Sequence, residues 1–86
     1  MLTVYAVDWC PHCKKTLAFL EKNKIAYRYL DMEKQPEDIV QKVIEINGGD
    51  DWVVPTLEYK GRWRPGEVFD ESGLRKDLIG MGVIRD

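Results

Sequence analysis

The chain has 86 residues, of which 44% are hydrophobic and 33% are charged, with a formal net charge of −2. This length predicts one domain, spanning residues 1–86, with a single modest core. Because basic and acidic residues are nearly balanced and interspersed, there is no extended positive field for a nucleic-acid backbone, and no nucleic-acid partner is expected.

The apolar segments and the cysteine count predict the compartment. No apolar run approaches the roughly 18 residues that a membrane span requires, and no basic leader precedes the first apolar segment. We therefore expect a cytoplasmic monomer without a membrane partner. The two cysteines, Cys10 and Cys13, are too few for the disulfide framework of a secreted scaffold. In a reducing compartment such a pair is typical of redox chemistry or metal binding.

The first third of the chain predicts a β-α-β unit. Segment 2–7 is apolar at nearly every position, which is typical of a central strand buried on both faces. Pro11 suits the first turn of a helix, predicted over 11–23, with Leu17 to Leu20 on its apolar face. Segment 26–30 has strand composition and most economically lies parallel to the first strand.

A second helix is predicted after Pro36, with apolar residues at helical spacing and Asn47-Gly48-Gly49 as its terminator. Segments 56–59 and 62–64 flank Lys60-Gly61 and predict a β-hairpin.

The end of the chain predicts a last helix. Asp70 or Ser72 could cap it, and Gly80 and Gly82 are expected to break it. The predicted order is β-α-β-α-β-β-α, an α/β fold with a four-stranded mixed sheet flanked by helices.

The cysteine pair carries the predicted chemistry. If the first helix begins at Pro11, Cys10 lies at its N-terminal boundary and Cys13 lies one turn further on the same side. The unpaired N–H groups and the positive dipole end of the helix favour thiolate over thiol at Cys10. We therefore predict that Cys10 is the nucleophile and that Cys13 attacks the mixed disulfide once it has formed. No metal site is predicted, because a structural zinc site normally needs four ligands and the chain offers two cysteines and His12.

Four side chains beside the cysteines each have two interpretations. His12, as an imidazolium, could stabilise the Cys10 thiolate, or it could be an exposed first-turn residue with little effect. Trp9 could form an apolar wall for a substrate or lie at the rim of the core, and we expect it to be partly buried. Lys14 and Lys15 lie in the first helical turn, where a positive charge is unfavourable with the helix dipole. They could be solvated charges, or they could interact with the thiolate or with an acidic substrate.

Three segments together resemble the glutaredoxin family. They are Trp9-Cys10-Pro11-His12-Cys13 after a strand, Val53-Val54-Pro55-Thr56 after Asn47-Gly48-Gly49, and the short C-terminal helix. The resemblance covers nearly the whole chain and is greatest to mycoredoxin-type bacterial redoxins. It implies a thioredoxin-like fold, thiol-disulfide oxidoreductase activity, and catalytic roles for the residues from Cys10 to Cys13.

The resemblance also implies how a substrate is held. The Val54–Pro55 peptide is expected to be cis and to pack beside the cysteines, with the Val54 backbone binding a thiol substrate. Trp9 and Asp70 complete the implied substrate-binding residues. Glutaredoxins carry a Gly-Gly pair before an acidic residue here, whereas this chain has Pro-Gly-Glu-Val-Phe-Asp at 65–70. The thiol partner therefore need not be glutathione.

The resemblance finally implies the partners. No bound cofactor is expected; glutathione or another low-molecular-weight thiol is the co-substrate, and disulfide-containing proteins are the targets. A low-molecular-weight thiol or thioredoxin reductase would supply electrons. Trp63-Arg64-Pro65 is similar to a segment of redoxins that donate electrons to ribonucleotide reductase.

A rival function is that of an iron–sulfur carrier, in which Cys10 of two chains and two external thiols hold a [2Fe–2S] cluster. Pro11 argues against this rival, because cluster-carrying members commonly have smaller residues there.

Overall fold

Strand β1 (Leu2–Ala6) lies at the centre of the sheet in the computed structural model, which describes residues 1–85. It pairs parallel with β2 (Tyr27–Asp31) and antiparallel with β3 (Thr56–Tyr59). Strand β4 (Arg62–Arg64) continues the sheet antiparallel to β3, so the order is β2-β1-β3-β4. The predicted mixed sheet, its central first strand and the hairpin are confirmed.

Three α-helices complete the predicted order β-α-β-α-β-β-α: α1 (Pro11–Lys22), α2 (Glu37–Ile46) and α3 (Glu71–Met81). A short 3₁₀ helix, Met32–Lys34, follows β2 and was not predicted. Helix α1 ends one residue earlier than expected, and β2 lies one residue later. None of the helices within residues 1–85 is long and apolar enough to cross a membrane.

The ends of α2 and α3 follow their capping residues. Asn47 caps the end of α2, and the two glycines after it take φ values of 104° and 97°, which side chains disfavour. Asp70 begins α3 by accepting the Gly73 N–H at 3.0 Å. The expectation that Gly80 breaks α3 was wrong: Gly80 lies inside the helix, and Gly82, with φ of 86°, ends it. One interior glycine costs only about 1 kcal/mol, and buried neighbours offset that cost.

Helix α1 places its cysteine on the core face. Its buried residues are Cys13, Thr16, Phe19 and Leu20, which recur at helical spacing. The expected apolar face at 17–20 is therefore only partly right, since Leu17 is half-buried and Ala18 is exposed. The side of α1 that packs on the sheet begins at Cys13, and this packing fixes the second sulfur of the pair inside the protein.

Candidate active site

Cys10 is the N-cap residue of α1. Its sulfur accepts the backbone N–H of Cys13 at 3.2 Å, the bond that a serine or aspartate oxygen usually makes in this position. Pro11 occupies the first helical position, where its missing N–H leaves no bond unmade. The Cys10 sulfur therefore lies against the positive end of the helix dipole, and a negative charge there is stabilised.

Cys13 is held behind Cys10 in the core, with only 1% of its surface exposed. Burial, followed by a hydrogen bond with Cys10, raises the pKa of the Cys13 thiol to about 12, although the Val7 backbone acts in the opposite direction. Both cysteines are free thiols. Both residues are buried, Cys10 with 7% of its surface exposed, but the two sulfurs are inequivalent, because the Cys10 sulfur lies at the helix end and the deeper Cys13 thiol keeps its proton.

The Val54–Pro55 segment borders the cysteines, as the resemblance predicted. The peptide bond between the two residues is cis, and Pro55 is buried. The Val54 carbonyl oxygen lies 3.9 Å from the Cys10 sulfur. Its neighbour Val53 is 43% exposed. A half-buried backbone carbonyl and an exposed apolar side chain therefore lie in the segment beside the Cys10 sulfur.

His12 faces away from the sulfurs, toward the loop that precedes α3. Its Nδ1 accepts the backbone N–H of Phe69 at 3.1 Å. This bond needs an unprotonated Nδ1, because both ring nitrogens become donors in the imidazolium. The histidine thus ties the start of α1 to the 65–70 loop, a role that neither interpretation of His12 included.

Trp9 is 62% exposed, so the expectation that it is partly buried was wrong. The buried run of β1 ends at Val7, and the chain then turns outward through Asp8. The indole Nε1 donates to the Glu33 carboxylate at 3.3 Å. The ring lies on the surface next to Cys10 in sequence, a placement compatible with the predicted contact to a substrate.

Asp70, the last predicted substrate-binding residue, is exposed and caps α3. One carboxylate oxygen is engaged by the Gly73 N–H. Its contribution to substrate binding stays a prediction.

Asn47 is a positioning residue that sequence reasoning treated only as a helix terminator. Its side-chain amide donates to Val43 O and to Thr56 Oγ1, both at 2.9 Å, and its Oδ1 accepts the Gly66 N–H at 2.8 Å. Thr56 Oγ1 in turn donates to the Val53 carbonyl at 2.6 Å. One side chain therefore joins the end of α2, the start of β3 and the 65–70 loop around the segment that borders Cys10. The Asn-Gly-Gly pattern was the only sequence signal of it.

Gly66 permits this loop to lie on Val53, and replacing it tests the arrangement. A Cβ at Gly66 would lie 2.8 Å from the Val53 Cβ and 2.9 Å from its carbonyl carbon, so backbone must move. We expect Gly66→Ala to lower the free energy of unfolding by about 1–3 kcal/mol, as overpacking does, and to reduce the disulfide-reductase activity that the resemblance to glutaredoxins implies. Chemical denaturation and a disulfide-reduction assay measure the two effects.

Gly80→Ala is the matched control for that substitution. A Cβ at Gly80 meets nothing within 4 Å, and the residue lies inside α3. Gly80→Ala should leave turnover unchanged and raise stability by up to about 1 kcal/mol through helix propensity. If Gly66→Ala behaved like this control, the contact between the loop and Val53 would be without importance for the site.

Clusters of potential metal ligands were sought among the described residues. Across residues 1–85, no group of three or more His, Cys, Asp or Glu side chains is arranged to hold a metal ion. The search within one chain does not test an iron–sulfur cluster shared between two chains, because such a cluster would also need external thiols.

Comparison with known proteins places these features in a family. The profile of the family described as Glutaredoxin matches residues 2–63. Mycoredoxin 1 of Corynebacterium glutamicum is 36% identical over 58 residues, which are 67% of this chain and 68% of that protein. The glutaredoxin-like protein NrdH of Lactococcus lactis subsp. cremoris is 39% identical over 46 residues, 54% of this chain and 62% of that protein.

Solved structures agree on the fold. The glutaredoxin of Archaeoglobus fulgidus superposes with a TM-score of 0.69 and 25% identity, covering 87% of this chain and 82% of its own. Wheat glutaredoxin gives a TM-score of 0.65 at 17% identity, covering 93% of this chain and 76% of its own. At 17% identity, the likeness to wheat glutaredoxin supports the thioredoxin-like fold and nothing about function.

Proposed function

Since the chain belongs to the glutaredoxin family of thiol-disulfide oxidoreductases, we propose that it reduces protein disulfides and mixed disulfides of low-molecular-weight thiols through Cys10 and Cys13. The observation that carries this proposal is the asymmetry of the pair. The Cys10 sulfur caps α1, and the Cys13 thiol is buried one helical turn behind it.

The first step uses Cys10 alone. Its thiolate attacks one sulfur of the substrate disulfide, a mixed disulfide forms, and the other substrate sulfur leaves as a thiolate. The N-terminal end of helix α1 stabilises the negative charge of the attacking Cys10 sulfur. Trp9, Val53 and the Val54 backbone are exposed or half-exposed around this sulfur and would contact the substrate chain.

The second step uses Cys13. It gives up its proton and attacks the Cys10 sulfur, so the internal disulfide forms and the second substrate thiol is released. Two electrons from an external donor then restore the dithiol. Forming the mixed disulfide removes the negative charge of Cys10, which is one cause of the raised pKa of Cys13, whereas burial persists. Loss of that charge lowers the pKa of Cys13 in the mixed disulfide, and burial still holds it above the ordinary value of a thiol.

The donor is proposed to be a low-molecular-weight thiol or thioredoxin reductase. The 65–70 loop lacks the glycine pair with which glutaredoxins hold the ends of glutathione. Its single glycine, Gly66, donates its N–H to Asn47 and lies against Val53. The relative named NrdH supports a reductase-linked role as the second candidate, including electron donation to ribonucleotide reductase.

Reduction of a glutathione mixed disulfide tests both candidates. The assay is run with glutathione, its reductase and NADPH, and separately with thioredoxin reductase and NADPH. Turnover with glutathione would establish a glutathione-dependent enzyme, and turnover only with thioredoxin reductase would establish the second candidate. Inactivity in both systems, and with mycothiol-type or other small thiols, would contradict the proposed activity and leave anaerobic cluster reconstitution as the next assay.

A further inference from the structure

A groove lies beside α1 on the side that faces the beginning of α3. Its volume is about 220 Å³, which is room for side chains rather than a single water. Its lining residues are Lys15, Ala18, Phe19, Lys22, Phe69 and Glu71. The groove takes no part in the cysteine chemistry described above.

The floor of the groove is apolar and held in place. Phe19 is buried at 3% exposure, and Ala18 and Phe69 expose part of their surface. The bond from Phe69 N–H to His12 Nδ1 fixes the loop against the first turn of α1. This bond holds Phe69, which lines the groove, to the helix turn that carries Cys13, so the groove is formed before a ligand arrives.

The rim of the groove is basic, although the whole chain carries a net charge of −2. Lys15 and Lys22 stand on α1, are exposed, and make no ion pair within residues 1–85. The Arg75 guanidinium packs 5.1 Å from the centre of the Phe19 ring and donates to Asn23 Oδ1 at 3.4 Å, so it lies near the groove without lining it. Glu71 is the one acidic residue of the lining.

The acidic neighbour on α1 does not cancel this charge. Glu21 accepts the Tyr27 hydroxyl at 2.6 Å and is thereby directed to the β2 side of the helix. The lining of the groove thus presents two cations against one carboxylate around an apolar floor. This charge is complementary to an acidic ligand with an apolar side chain.

We propose that the groove docks an acidic peptide segment, containing an apolar residue, that adjoins the reacting cysteine of a protein substrate. This specifies the substrate class and rests on the proposed disulfide-reductase function. Lys15 and Lys22 lie five and twelve residues after Cys10, so they are about 7.5 and 18 Å away along the helix at 1.5 Å per residue. An extended peptide covers that interval with residues about two to six positions from its cysteine.

The test uses two peptides that carry the same cysteine as a mixed disulfide with a chromogenic thiol. In the first peptide a leucine lies four residues from the cysteine and has a glutamate on either side. The second peptide has lysines in place of the glutamates. Each peptide is made in two versions, with the leucine before or after the cysteine. The protein should show a kcat/KM about fivefold or more higher for the acidic peptide, through KM, and added salt should reduce the difference.

Lys22→Glu should remove that preference, and Lys22→Gln should reduce it. Lys24→Glu is the matched control, since Lys24 carries the same charge two residues away and lines a different cavity. The control should keep the preference, and all three variants should retain wild-type turnover of a small mixed disulfide. Equal kcat/KM for the two peptides, or equal effects of Lys22→Glu and Lys24→Glu, would overturn the groove assignment.

Binding of a cysteine-free acidic peptide separates failure of the groove from failure of the redox function. In a fluorescence titration it should bind wild-type protein more tightly than Lys22→Glu, even if no disulfide were turned over. Replacing its leucine by serine should weaken binding. Loss of the difference between wild type and Lys22→Glu, or stronger binding of a single-stranded oligonucleotide, would overturn the proposal whatever the turnover assay gives.

Discussion

Cys10→Ser should reduce turnover of every disulfide substrate by about 10³-fold or more, because the attacking sulfur is lost while the fold is kept. Serine is among the best N-cap residues, and its oxygen can accept the Cys13 N–H that the sulfur accepts at 3.2 Å. The variant therefore separates chemistry from structure. Turnover is measured with a glutathione mixed disulfide under the donor that supports the wild-type protein.

Unfolding of the same variant by denaturant is the control. The free energy of unfolding of Cys10→Ser should stay within about 0.5 kcal/mol of the reduced wild-type protein, as for a substitution that keeps its hydrogen bond. Lost activity with retained stability would support Cys10 as nucleophile. Full activity in Cys10→Ser would show that the reaction begins elsewhere.

Local patterns predicted most of the fold. The apolar run at 2–7 identified the central strand, and the Asn-Gly-Gly pattern ended α2 where its glycines adopt positive φ. The errors are at boundaries and at single residues whose outcome depends on tertiary packing. Gly80 was expected to break α3, but the buried Leu78 and Met81 on either side hold the helix against the sheet.

In the site, too, the features set by local sequence were predictable and those set by tertiary contacts were not. The position of Cys10 at the N-terminus of α1 follows from Pro11 and helix geometry, so four consecutive residues suffice to predict it. The contacts from Phe69 to His12 and from Gly66 to Asn47 join residues 57 and 19 positions apart. No periodicity encodes such pairs. Trp9 was misjudged for the same reason, because its burial depended on which loops cover the end of β1.

The contacts that sequence could not predict surround the part of the site where we propose that a substrate binds. Asn47 and Gly66 fix the loop over Val53, and His12 fixes the same loop to α1 through Phe69. The sulfur chemistry is thus encoded locally, and the surface around it is shaped by long-range contacts.

Cys13→Ser should separate the two halves of the reaction. Reduction of a protein disulfide should fall by about 10²-fold or more, because the substrate stays bound to Cys10 as a mixed disulfide that no internal thiol resolves. Reduction of a small mixed disulfide with excess external thiol should be largely retained, since that thiol can replace Cys13. Mass spectrometry under non-reducing conditions should detect the trapped complex, and none should form with Cys10→Ser.

The pH dependence of substrate release tests whether ionisation of Cys13 controls the second step. Burial, assisted by the bond with Cys10, raises the pKa of Cys13 to about 12, so its proton is retained throughout the neutral range. Only a very small fraction of such a thiol is ionised at pH 7, and each unit of rising pH increases the thiolate about tenfold until the pKa is reached. Loss of the Cys10 charge in the mixed disulfide shifts this rise to lower pH. Single-turnover release by the wild-type protein should therefore accelerate between pH 6 and pH 9, and this acceleration should be absent from the external-thiol reaction of Cys13→Ser when the thiolate concentration is held constant. A release rate independent of pH would mean that ionisation of the buried cysteine does not control the second step.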